Sequence, residues 1–360
     1  MKTQVFLFFV IIAFIFQSCS VSKTQTASSV AAVSEPTAMP QNLKIAFYNV
    51  ENLFDTVDDP KTPDEEFTPE GKNKWTPERY KLKLNHLAKV ISAMDYPVTI
   101  GLSEIENETV VQDLAKEAAF SEHPYKVVHY ESPDARGIDV AFLYQEKYFK
   151  VLGSRPIRIN FPKEKNKNMD GETMTTRDIL QIDGILAGKD TVHYFVNHWP
   201  SRRGGQDESE VRRIFVASQL RKAVDEIFAK NANANIVIVG DLNDETDNKS
   251  VTEILKAKMP SASPEAGSLF DLMMPLDKAG EGSYNYRGVW NMLDHIIVSS
   301  SLLRSQSKVY VSDATIFKRD FMLYKESKTG DMLPSHTYVG PKYYGGYSDH
   351  LPVCATLNFR

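Results

Sequence analysis

The residues of this chain best suited to chemistry are acids, amides and histidines at the ends of short apolar runs. Ile236-Val-Ile-Val-Gly240 is followed by Asp241-Leu242-Asn243, which sets a carboxylate and an amide two residues apart after a glycine break. Met292-Leu293-Asp294-His295-Ile296-Ile297-Val298 opens a second run with a carboxylate, and Ser348-Asp349-His350 precedes the last one. Val98-Thr-Ile-Gly-Leu-Ser103 ends in Glu104, while Asn49 and His198 come near the ends of two more. Carboxylates gathered in this way raise one another's pKa values unless a divalent cation sits among them. Oxygen donors of this kind suit Mg²⁺, with Mn²⁺ or Ca²⁺ as alternatives, rather than zinc. Each fragment alone has a plainer reading. Gly-Asp-Leu-Asn is a common Asx-type turn, Asp349-His350 a surface ion pair, Glu104 a cap for a helix starting near Thr109, and Asn49 a turn residue.

Positioning these groups requires a strand-dominated frame. Runs rich in β-branched and aromatic residues predict strands at 44–50, 98–103, 125–129, 139–144, 177–186, 193–198, 236–240, 295–298 and 353–358. Helical periodicity is clearest over 77–93, where Tyr80, Leu84, Leu87, Ala88 and Ile91 share a face, and over 208–228. The helices are expected outside the sheets, with the polar groups in strand-end loops, where rigid scaffolds usually carry chemistry.

Taken in order, Phe47-Tyr48-Asn49-Val50-Glu51-Asn52, Ile100-Gly101-Leu102-Ser103-Glu104, Asn197-His198-Trp199, Gly240-Asp241-Leu242-Asn243, Leu293-Asp294-His295 and Ser348-Asp349-His350 resemble the endonuclease/exonuclease/phosphatase superfamily with its deoxyribonuclease-like fold. The resemblance covers residues 43–360. It implies an α/β four-layer sandwich of two packed mixed β-sheets flanked by helices, with the site at one edge. It also implies that Glu104 is the main metal ligand, with Asn49 and Asp349 close to the ion and Glu51 as a second acid beside it. Asp241 and Asn243 would orient the attacking water and the scissile phosphate. His350 would be held by Asp294, and His198 would lie across the phosphate from it. The segment Tyr130-Glu131-Ser-Pro-Asp-Ala-Arg136-Gly resembles the loop that supplies a carboxylate to the first histidine, which makes Glu131 a candidate to orient His198.

A phosphodiester requires a cation to offset charge on its oxygens and placed groups for proton transfer. Histidine, with an ordinary pKa of about 6.5, serves the second need. Arg202 and Arg203, just after His198, can grip flanking phosphates through bidentate contacts. Arg136 and Arg177 are further phosphate contacts. Arg212 and Arg213 extend the basic stretch or form a solvated helix face, and the tyrosines of Tyr343-Tyr344-Gly-Gly-Tyr347 form a packed loop or a stacking platform.

Length and composition set the bounds. The chain has 360 residues, 42% hydrophobic and 25% charged, an ordinary globular profile that excludes a collagenous or wholly disordered chain. A formal charge of −5 means no global attraction to a polyanion, so any phosphate site must be local. Residues 1–18 read as a secretory signal, because the apolar run Val5–Phe16 is too short to span a bilayer. Ser18-Cys19 resembles a lipobox with Phe16 where leucine is usual, which makes Cys19 a lipid anchor at the cell envelope. Residues 19–42 have the composition of a tether, and 43–360 are read as one domain. With two cysteines at these positions, a structural disulfide is not expected. The acidic insertion from Asp55 to Trp75 reads as a solvated loop whose rim disfavours a long polyanion from that side, or as an extra Ca²⁺ site that neutralises the rim. Function is therefore expected to be an extracytoplasmic nuclease on DNA or RNA, with a phosphatase or sphingomyelinase-type phospholipase as alternative. A catalytically silent surface binding protein is the reading from another class, and no protein partner is implied.

Overall fold

The computed structural model describes residues 1, 42–162 and 174–360. The signal beyond Met1, the anchor at Cys19 and the tether up to residue 41 lie outside the described residues.

Two sheets face one another. The first runs, in spatial order, Val309–Ile316, Val353–Phe359, Asn42–Leu53, Thr99–Ile105, Asp139–Tyr144 and Lys126–His129. The second runs Phe149–Ile157, Ile179–Leu186, Asp190–His198, Asn235–Asp241, Asp294–Ser299, Leu269–Asp271 and Ala257–Lys258. Both are mixed, since Asn42–Leu53 pairs parallel with Thr99–Ile105 and Asp190–His198 pairs parallel with Asn235–Asp241. The expected layering is thus present.

The strand Asn42–Leu53 shows why it reads as a nearly continuous apolar run. Ile45 and Phe47 enter the core between the sheets, whereas Ala46, Tyr48 and Val50 pack under helices α1 (Pro77–Ala93) and α2 (Glu108–Ala115). Both faces are buried, so the period-two signal is masked. On the far side, helix α3 (Gln206–Lys230) covers the second sheet through Val216, Leu220 and Val224 against Phe195, Ile236 and Ile238. Gly101 allows the sheets to approach, because a Cβ there would meet the Val239 side chain at 2.7 Å.

Helix α1 has the predicted bounds, with Pro77 at its first turn and the Thr76 side chain accepting from the Arg79 N–H. Helix α2 is capped by the Asn107 side chain, which accepts from the Val110 N–H, and this leaves Glu104 free of the capping role. The strands Phe149–Ile157 and Val309–Ile316 had no counterpart in the sequence reading. Among the described residues no helix is long and apolar enough to cross a membrane.

Candidate active site

Register aligns the candidate groups before any side chain is considered. His198, Asp241 and Asp294 stand opposite one another on three adjacent strands of the second sheet. In the first sheet Asn49 is paired with Ser103, next to Glu104, and pairing shifts at this point through a bulge. Glu51, Asn52 and Glu104 all take positive φ there (53°, 53° and 63°), and Asn243 takes 51° in the second sheet. Left-handed backbone at these four non-glycine residues is strain at the strand ends of both sheets that meet at the site, where it re-aims side chains.

Asp241 is the hub. Its Oδ2 accepts from Asn49 Nδ2 at 3.0 Å and lies 3.7 Å from His198 Nε2 and 3.8 Å from His350 Nε2. Its Oδ1 accepts from the Asn243 N–H at 2.9 Å. Glu104 joins from the first sheet: Oε2 accepts from the Asn52 N–H at 3.0 Å, and Oε1 lies 4.0 Å from His198 Nε2. Burial and neighbouring acids push both Asp241 and Asp349 up to about 6, with His350 working against the rise in each.

The two histidines are set to opposite states. His350 Nδ1 donates to Asp294 Oδ2 at 2.7 Å. Burial alone would lower its pKa, but the Asp294 and Asp241 carboxylates outweigh burial and hold it well above the usual value. His198 is lowered well below the usual value by burial and by Arg177, Arg136 and His350. Near neutral pH, His350 is therefore an imidazolium and His198 a neutral ring.

These groups line a pocket of about 420 Å³ together with Arg136, Arg202, Arg203, Tyr284 and Tyr286. Arg203 and Arg136 are exposed at its mouth. Arg202 is engaged within the chain, because Nε donates to the Asn243 carbonyl at 2.8 Å and the guanidinium lies 3.6 Å from Glu245. Arg177 is buried and bound to Asp134 and to the Trp199 carbonyl, so its guanidinium serves the scaffold rather than the pocket. Arg213 is fully buried and paired with Asp244 at 2.6 Å, which makes it neither a phosphate contact nor part of a solvated face.

Three further expectations are corrected. The Glu51 carboxylate accepts from the Thr337 and Tyr338 N–H groups at 2.7 and 3.1 Å, so it is spent on tying a hairpin to the site rather than facing an ion. Glu131 does not reach His198, whose Nδ1 has no hydrogen-bond partner among the described residues; it lies beside His129 instead. The insertion at 55–75 is no simple solvated rim either, because it buries Trp75, whose indole N–H donates to the Phe54 carbonyl. The tyrosine loop is largely packed, with Tyr347 stacked on His86 and Tyr343 beneath Arg79.

Several site residues escaped the sequence reading. Ser283 Oγ donates to Asp294 Oδ2 at 2.5 Å, and the Tyr284 ring lies over His350 at 4.7 Å between centroids. Lys83 is buried beneath Glu51 and donates to Thr337 Oγ1 and the Tyr347 carbonyl. Burial lowers Lys83 to about 8, while Glu51 and Asp349 oppose the fall. A lysine beside the apolar stripe of α1 was the available signal.

Comparison with known proteins agrees with this geometry. The family model "Endonuclease/Exonuclease/phosphatase family" matches residues 44–358, so the chain belongs to that family. It is accordingly a hydrolase of phosphoester bonds, and it carries acidic groups that could hold a metal ion. Among solved structures it is similar to D. rerio TDP2 in complex with a single-strand DNA product (17% identity, TM-score 0.52, covering 89% of this chain and all of that one). It is likewise similar to the human Nocturnin catalytic domain with bound sulfate (15%, 0.52, covering 89% and 95%). A third similar structure is a mannosyl-6-phosphatase of Bacteroides thetaiotaomicron (17%, 0.53, covering 88% and 100%). No curated protein matches the chain in sequence.

Proposed function

We propose that this chain is an extracytoplasmic nuclease, a metal-dependent phosphodiesterase that hydrolyses DNA or RNA. The observation that carries the reading is the convergence of His350, held by Asp294, and neutral His198 on one carboxylate, Asp241, with Asn243 and Glu104 beside it. That set meets the needs of an in-line attack on a phosphodiester. Asp241, pushed up to about 6, is suited to take the proton of an attacking water near neutral pH. The His350 imidazolium and the neutral His198 ring offer N–H groups to the non-bridging phosphoryl oxygens, where charge grows. Asn243 holds the Asp241 carboxylate through its backbone N–H, and Arg136 and Arg203 receive the flanking phosphates at the mouth.

The donor chemistry fits a hard divalent cation. Glu104 and Asp349 supply carboxylate oxygens at the pocket wall, and the rise of Asp349 through burial, Glu104 and Asp241 marks negative charge in need of a counter-ion. Glu104 and Asp349, with Asn49 adjacent, would hold Mg²⁺, or Mn²⁺ or Ca²⁺ in its place. When bound, the ion supplies electrostatic stabilisation of the phosphoryl oxygens.

A second reading, hydrolysis of a compact phosphoester, is favoured by the pocket's size and by the engagement of Arg202 within the chain. The two readings separate on incubating the full chain with plasmid DNA, RNA, a sphingomyelin suspension and a sugar phosphate, with Mg²⁺ or chelator and beside H350A. Chelator-sensitive cleavage of nucleic acid that H350A abolishes supports the nuclease. Intact nucleic acid with release of phosphate from the sugar phosphate overturns it in favour of the second reading, and cleavage of sphingomyelin alone overturns it in favour of a phospholipase. Export by residues 1–18 and anchoring through lipid on Cys19 belong to the same proposal; C19S should abolish lipid labelling and membrane partition.

A further inference from the structure

A second group of metal-ligating side chains lies outside the catalytic pocket. His129 ends its strand and Asp139 begins the antiparallel neighbour; His129 faces Ala141 in register, so Asp139 falls two residues along on the same face. The His129 side chain is 2% exposed, yet its Nε2 has no hydrogen-bond partner among the described residues. Asp139 Oδ2 lies 3.4 Å from Nε2, and Glu131 Oε1 lies 3.8 Å from Nδ1. One donor atom from each of the three falls within 4.8 Å of the others. Facing carboxylates beside an orphaned, buried imidazole nitrogen are an arrangement that a cation completes.

We propose that His129, Glu131 and Asp139 form a binding site for a divalent ion of the zinc type, separate from the catalytic site. One imidazole nitrogen and two carboxylate oxygens, with room for water, make a zinc-type donor set, in contrast to the oxygen-only set at Glu104 and Asp349. Asp139 Oδ1 is held by the Ser132 N–H at 2.9 Å, which leaves Oδ2 for the ion. A cavity of about 370 Å³, bordered by Glu131, Asp134, Asp59 and Glu106, gives a cation an acidic approach from solvent.

The site sits at the two ends of the segment that carries Asp134 and Arg136. Asp134 binds Arg177, which donates to the carbonyl of Trp199, the residue after His198, and Arg136 lines the catalytic pocket. An ion joining Glu131 to Asp139 closes this segment at its base. It thereby steadies both contacts, which makes the three ligands positioning residues for the pocket.

The test titrates chelator-stripped full chain with Zn²⁺ by calorimetry and follows the unfolding temperature, beside E131Q, H129Q and E104Q. The expected result is one Zn²⁺ equivalent that E104Q retains, that E131Q weakens tenfold or more and that H129Q abolishes, with Zn²⁺ raising the melting temperature of E104Q but not of H129Q. Zn²⁺ isotherms for E131Q that superimpose on the unmutated chain overturn the proposal, as does a single equivalent lost in E104Q. If H129Q fails to fold, E131Q decides the question, because that side chain is 69% exposed. None of these readouts depends on which phosphoester the enzyme cleaves.

Discussion

Arg177 and Asn243 donate to the same acceptor. The Arg177 guanidinium reaches the Trp199 carbonyl oxygen at 2.7 Å, and the Asn243 side-chain amide reaches it at 2.9 Å. The Trp199 N–H in turn donates to the Asp241 carbonyl at 2.9 Å. A buried scaffold cation thus sets the backbone from which the Asn243 amide is hung.

Replacing Arg177 should therefore affect both stability and rate. R177M leaves Asp134 buried without its partner, and loss of one member of a buried pair costs about 3–5 kcal/mol. A urea titration at neutral pH should show the corresponding fall in midpoint. The turnover of the folded fraction should drop as well, because the Trp199 carbonyl is then held by Asn243 alone.

Asp294 holds His350 in its charged form, and D294N removes that charge while keeping the shape. The His350 pKa then falls from its raised value, so the imidazolium is lost at lower pH. The alkaline limb of the kcat/KM profile should move to lower pH, and kcat should fall by about 10²–10⁴-fold. An unshifted limb would show that His350 does not act as a cation.

Metal removal should abolish activity, and added Mg²⁺ should restore it. E104Q keeps the shape of the residue but gives up one carboxylate charge, and every 1.4 kcal/mol of lost ion affinity is tenfold. The Mg²⁺ concentration for half-maximal rate should rise by about tenfold or more, with the unfolding midpoint of the metal-free chain little changed.

His295, the neighbour of Asp294, is a structural cation. Its Nδ1 faces Asp271 Oδ2 at 2.7 Å and its Nε2 faces the Asp244 carbonyl at 2.9 Å, so both ring nitrogens must donate. Burial alone would lower its pKa, but Asp271 and the Asp244 carbonyl raise it to about 9. A group raised on folding contributes stability that is complete below its unfolded value of about 6.5 and lost as pH rises through about 9. Denaturant midpoints of the unmutated chain should decline over that window, and H295Q, though less stable throughout, should show a flatter profile there.

Much of the frame could be read from the chain. Helix α1 and the strand Asp139–Tyr144 have the bounds that periodicity predicts, whereas the short buried strand Leu269–Asp271 left no run long enough to mark it. The two long strands that were missed, Phe149–Ile157 and Val309–Ile316, are edge strands whose outer residues meet solvent, so neither an unbroken apolar run nor a clean alternation marks them. The catalytic types were equally legible, because a polar residue ending an apolar strand is a local signal.

Pairings between distant segments are not local. The sequence by itself determined that Asp241, Asp294 and His198 would stand at strand ends and His350 just before the last strand, since alternation and chain breaks are properties of a few consecutive residues. Only the tertiary structure decided that Glu51 binds the backbone of Thr337 rather than an ion, and that Glu131 joins His129 instead of His198. Those choices follow from strand register and from a bulge that turns Glu104 into positive φ, and both depend on how two sheets pack across a shared core.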